Sequence, residues 1–261
     1  MDPFYRALSL SSKERAAADT DLGLLHAGVR LGMLLPRFHA CAHLSALPLP
    51  PHAPTPLLLA VVQGSSFLLS AALLACKRAA LQAALAQGGT LAALEGACAQ
   101  AGAVPPLPIC IAEGAAARPL APAELRAWLA CQAALLGALL EGAPPWEARG
   151  RHGCHGALEL LAPADGAPAA YCPVALAGVL LDYPIVYDLQ GARGHCLDGC
   201  ALSVWRAGPF AFSIPLALAG DAAARAAIAQ WRALLAARAA EAGVVPLDCS
   251  CTTESRTHYV C

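Results

Sequence analysis

The chain has 261 residues, 58% of them hydrophobic and 13% charged, with a formal net charge of -1. That length suits one large domain or two small ones, and core material is plentiful. The near-zero charge, with no Lys/Arg run anywhere, excludes electrostatic binding to nucleic acid or to anionic lipid.

The opening stretch, MDPFYRALSLSSKER, lacks the basic start and apolar centre of a signal peptide. Ser11 and Glu14 have the spacing of a capping box and predict a helix start. The helix pauses near Asp19–Asp21 and resumes through Leu22, Leu25, Val29 and Leu34, stopping before Pro36. Phe38–Leu44 reads as a short strand, and Leu47–Pro56 is a proline-rich loop. Leu57–Cys76 is twenty residues without a charge, long enough to span a membrane. The polar tetrad Gln63-Gly64-Ser65-Ser66 interrupts it. It therefore reads as strand, tight turn, strand and helix start, with no membrane span.

Alanine-rich helix follows over about 71–86 and 90–101, broken by Gly88-Gly89. Leu107–Ala112 predicts a buried strand. Pro122 opens a helix whose Leu125, Trp128, Leu129, Gln132, Leu136 and Leu139 share one arc. Residues 142–170, rich in Gly, Pro and Ala, predict a loop. Tyr171–Leu181 predicts a helix and Pro184–Leu189 a strand. In that strand Ile185, Tyr187 and Leu189 face one way, Val186 and Asp188 the other. Ala201–Ala207 and Phe210–Ile214 form a hairpin through Gly208-Pro209. Asp221 caps a last helix in which Ile228, Trp231, Leu234 and Leu235 cluster, while Arg238 sits in its final turn, where a cation suits the helix dipole. The order of elements predicts one α/β domain over 1–247, a mixed sheet of about six strands covered by helices, and a loose tail over 248–261.

No nucleotide-binding loop, HExxH, GxSxG or EF-hand pattern occurs. The twelve cysteines are scattered, and Cys76, Cys98 and Cys131 lie in apolar runs. This predicts free thiols in a reducing compartment, the cytoplasm or also the nucleus. His152, Cys154 and His155, then His195, Cys196 and Cys200, then Cys249 and Cys251, all lack the paired spacing of a structural zinc site, so no metal and no cofactor are expected. Gly191-Ala192-Arg193-Gly194 reads as a polar turn that could form an anion nest. For nucleophilic catalysis, Cys196 has His195 beside it in sequence but pointing away. A base would come from His39, His43 or His155, oriented by Asp188 or Asp198. The competing reading makes Cys196 a buried anchor where a loop re-enters the sheet. Tyr183 and Tyr187 share a strand face and present hydroxyls to its rim, and with Arg193 they are the candidate ligand-binding residues.

The stretch Gly178-x-Leu180-Leu181-x-Tyr183-Pro184, then Tyr187, Cys196-Leu197, Leu202-x-Val204, Phe212-Ser213-x-Pro215, and the helix with Trp231, Leu235 and Arg238 resemble an uncharacterised eukaryotic family. Its human member is named only as an open reading frame on chromosome 1. Weaker similarity covers Pro56–Phe67, Pro106–Ile111 and the helix from Pro122. Pro36–Pro56 is shortened against that pattern, and 142–170 has no counterpart in it. The resemblance implies no established activity, cofactor or catalytic residue. The expectation is a soluble non-enzymatic protein that binds a protein or small-molecule partner. The alternative is a thiol-dependent hydrolase or transferase using Cys196.

Overall fold

A computed structural model describes residues 20–34, 57–62, 65–111, 117–142, 158–160, 172–189, 201–245 and 247–255. The chain is α/β, as the order of elements predicts, and its strands sort into three small sheets. Residues 20–26 form a helix, α1. It stops well short of the expected Leu34, because Gly28 takes a φ of 72° and turns the chain into strand β1, Gly32–Leu34. Strands β2 (Leu57–Val62) and β3 (Ser65–Ser70) are extended and pair antiparallel. Leu57–Cys76 is thus two strands and the start of helix α2 (Ala71–Ala86), not one span. Gly64 itself lies outside the described residues, as do Ser11–Glu14 and Phe38–Leu44. The Ser70 hydroxyl caps α2 by accepting the Leu73 N–H at 3.4 Å.

Helix α3 (Leu91–Ala101) is capped by Thr90 and ends on Gly102 in the left-handed conformation. Strands β4 (Leu107–Cys110) and β5 (Arg118–Pro119) lead into helix α4 (Pro122–Gly142). Glu124 completes the α4 start by accepting the Ala121 N–H at 2.7 Å. This helix is long and apolar enough, over Pro122–Glu141, to cross a membrane by length and composition. Here it lays Leu125, Leu129, Leu136 and Leu139 into the core. Strand β6 (Leu158–Leu160) pairs parallel with β2, so part of the expected 142–170 loop is strand. Helix α5 (Pro173–Leu180) precedes β7 (Ile185–Asp188), β8 (Ala201–Ala207), β9 (Phe210–Pro215), helix α6 (Ala222–Glu241) and β10 (Cys249–Ser255). The tail over 248–255 is therefore not loose. Seven of those residues, Cys249–Ser255, pair antiparallel with all of β8. A polar strand such as CSCTTES carries no apolar alternation to announce itself.

The sheet orders are β1-β3-β2-β6, β5-β4-β7 and β10-β8-β9. β4 and β7 run parallel. The middle sheet separates two cores. Val186 faces the first, built with α2 to α5 and the first sheet. Ile185 faces the second, built with α6 and the third sheet. The alternation read for β7 is what places the two residues on opposite sides.

Gly32 marks the tightest approach in the first sheet. A Cβ there would sit 2.5 Å from the Leu180 carbonyl oxygen and 2.5 Å from a Leu69 methyl. Backbone cannot give way cheaply, so Gly32→Ala should lower stability by about 3 kcal/mol. An unchanged urea midpoint would show that β1 can shift away from α5.

Candidate functional site

In open sheets with parallel strands, ligands collect where the strands end. The carboxyl edge of the β4–β7 pair is that place here. In register across the middle sheet stand Arg118, Cys110 and Asp188, one from each strand. Directly paired residues share a face, so a cation, a thiol and a carboxylate form one row. Asp188 is half-buried and Cys110 is buried. The Arg118 guanidinium grips Glu124 at 2.7 and 2.8 Å. That pair of hydrogen bonds, helped by the Ala121 N–H, holds the Glu124 carboxyl down at about 2.

Cys172 precedes α5 and closes the same edge. Its Sγ accepts the Leu189 N–H at 3.4 Å and donates to the Tyr187 carbonyl at 3.8 Å. This ties the start of α5 to the end of β7. A sulfur at a helix N-terminus is often activated. Here burial outweighs the backbone N–H groups and pushes the thiol up. Burial likewise raises Cys110 and Cys131, and pushes Cys98 up to about 11. All four are thiols, not thiolates, at neutral pH.

Among the residues expected to form a site, Asp188 stands in the row. Tyr187 extends to the other face, its hydroxyl 2.9 Å from that of Ser213. Tyr183 lies against Phe212 with ring centroids 6.1 Å apart, and burial raises its phenol. It is a packing residue that touches both cores. Arg193, His195, Cys196 and Asp198 lie outside the described residues, as do His39, His43, His152, Cys154 and His155. Among the described residues no group of three or more His, Cys, Asp or Glu could hold a metal.

The opposite, amino edge of the middle sheet holds charges of another kind. Asp182 is fully buried, with a left-handed φ of 61°. Lys77 of α2 pairs with one of its oxygens at 2.7 Å and Arg238 of α6 with the other at 2.8 Å. Lys77 also donates to the Val104 carbonyl at 2.5 Å. Arg238 donates to the carbonyls of Gly102 at 2.7 Å and Val29 at 3.3 Å. Burial alone would raise the Asp182 carboxyl, but the two cations outweigh it and hold it below the usual range. Arg30 is a separate buried cation. It pairs with Asp21, donates to Gly32 and lies 4.8 Å over the Phe210 ring.

The row and the amino-edge cluster both escape a reading by local pattern. Cys110 and Cys172 look like small apolar residues in sequence. Lys77 stands one turn from Leu74 and Leu81, and Arg238 stands on the arc of Trp231 and Leu235. A charge on an apolar arc was the available signal. A third feature, an open groove of about 570 Å³, runs between Arg232, Ala233 and Ala236 of α6 and Leu247, Asp248 and Cys249. Compared with family models, with curated proteins and with solved structures, the chain matches none.

Proposed function

We propose that this is a non-enzymatic binding protein, of the cytoplasm or also the nucleus, that takes a small polar ligand at the carboxyl edge of the β4–β7 pair. The observation that carries the reading is the register that brings Arg118, Cys110 and Asp188 into one row at this edge with no activated nucleophile among them. Thiols kept protonated by burial are poor attackers. The most strongly buried carboxylate, Asp182, is committed to two cations at the other edge. The kinship proposed with the uncharacterised family is compatible with this reading, because β7, β8, β9 and α6 are the elements that carry that resemblance.

The second reading is the thiol enzyme using Cys196. It is favoured by one observation: residues 190–200 follow directly from the carboxyl edge where Asp188 stands. Brief iodoacetamide treatment at pH 7, with the modified cysteines mapped by mass, separates the two. The binding reading expects Cys98, Cys110, Cys131, Cys172 and Cys196 all to react slowly. Rapid, selective alkylation of Cys196 would overturn it in favour of the enzyme. A thermal-shift screen of small polar metabolites then tests the site. A ligand that stabilises wild type should lose most of its effect on Asp188→Asn, and equal stabilisation of both would place binding elsewhere.

A further inference from the structure

We propose that Lys77, Asp182 and Arg238 form an asymmetric clasp around the amino edge of the middle sheet: Lys77 and Asp182 are its fixed half, and Arg238 is the half that lets go. The clasp joins bodies with separate cores. Lys77 belongs to α2, which lines the first core, and Arg238 to α6, which lines the second. Asp182 sits just ahead of β7, the strand that faces both. The Leu107 N–H donates to the Pro184 carbonyl at 2.8 Å, so β4 and β7 begin side by side at this edge. Three turns meet here: the one through Val29, the one from Gly102 to Val104, and Asp182 itself.

Charge arithmetic explains why such a clasp can open. Two cations face one carboxylate, so the cluster carries one positive charge more than it needs. Removal of Asp182 would strand two buried cations, which is strongly unfavourable. Departure of one cation leaves a neutral one-to-one pair behind. By charge alone either cation could leave. By position only Arg238 can. Lys77 is 1% exposed and sits in the middle of the sixteen-residue helix α2. Arg238 is 9% exposed and lies in the last turn of α6, where helices loosen first. Its long stem can swing the guanidinium into water while the stem keeps covering apolar surface. What it gives up is its hold on Gly102 and Val29, the longer of which is 3.3 Å. The end of α6 and the Gly102–Ala103 part of the turn therefore release together. The Lys77–Asp182 pair, with Lys77 still bound to Val104, stays closed.

Amide hydrogen exchange on the full chain tests this, comparing wild type with Arg238→Met, which keeps the apolar stem and removes the charge. Three reporters are bonded at the clasp: the Ala242 N–H to Arg238, the Val244 N–H to Ala239, and the Ala103 N–H to Cys98. All three should exchange faster by on the order of 100-fold, the effect of losing hydrogen bonds to a charged group. Amides of Lys77 to Leu81 should stay within about twofold of wild type, because local opening leaves other units protected. Ala103 is the decisive reporter. A helix end that merely frays would speed Ala242 and Val244 and leave Ala103 alone, and that result would overturn the clasp. Equal acceleration in α2 and α6, or none anywhere, would overturn it too. If Arg238→Met does not fold, wild type in rising sub-denaturing urea answers the same question. The Ala103, Ala242 and Val244 amides should open together below the α2 amides. Merging of all of them at every concentration would sink the proposal.

Discussion

Asp182→Ala should lower the unfolding free energy by about 3–5 kcal/mol, the range for removing one partner of a buried ion pair. The cost comes from what stays behind. Lys77 and Arg238 are 1% and 9% exposed. Without the carboxylate Lys77 stands as an unpaired buried charge facing only the Val104 carbonyl, and Arg238 must either stay beside it or give up its hold on Gly102 and Val29. Asp182→Asn separates charge from backbone. Asn accepts the left-handed conformation that Asp182 holds, whereas alanine adds strain there. The Asn variant should therefore be nearly as damaged as the Ala variant, because most of the loss is electrostatic. Urea denaturation of both reads this directly, and an Asn variant with the wild-type midpoint would show that water reaches the cluster. The pH dependence has a definite sign. The folded carboxyl lies below its unfolded value, so its stabilisation is present above the ordinary carboxylate range. It fades as pH falls through the lowered folded value.

Trp231→Ala should cost about 3–5 kcal/mol as well, for a different reason: loss of a large buried side chain together with the cavity it leaves. Trp231 is 0% exposed. Its ring meets Phe210 and Phe212 edge-on, with centroids 5.9 and 5.0 Å away. Those contacts seal α6 onto the third sheet. Among the described residues the indole N–H has no hydrogen-bond partner, so the loss there is one of packing. A guanidinium midpoint unchanged from wild type would mean that the second core does not depend on this face of α6.

Where local physics decides, the sequence was a good guide. Pro122 and Asp221 open helices because a missing N–H is harmless in the first turn and a carboxylate satisfies exposed N–H groups. The Asp221 carboxylate accepts the Ala224 N–H at 3.0 Å. Gly208 takes a φ of 56° in the two-residue turn joining β8 to β9. Strict alternation in β7 separated Ile185 from Val186. Partners distant in the chain were the blind spot. β1, β5 and β6 are two or three residues long, too short for any period to show. β10 is polar and needs β8 to define it. Arg238 has a sufficient local explanation in the helix dipole, which concealed its partner 56 residues away. The candidate site was half legible. Asp188 could be named from its strand, while Cys110 and Arg118 acquire meaning only when register sets them beside it.

The pairing of β10 with β8 also bears on how readily copies of the chain could add to one another. β8 reads ALSVWRA, apolar on much of its length, and is flanked by β9 on one side. Its other row of backbone N–H and C=O groups is satisfied by the chain's own last described strand. Stripped of that strand, β8 would present a seven-residue unpaired margin with Val204 and Trp205 beside it, the kind of template on which strands of other molecules add. The polar CSCTTES strand acts as a selvedge. Among the described residues, its exposed Ser250, Thr252 and Thr253 carry hydroxyls in place of apolar side chains, so this margin is one that water wets and a neighbouring chain finds little reason to extend.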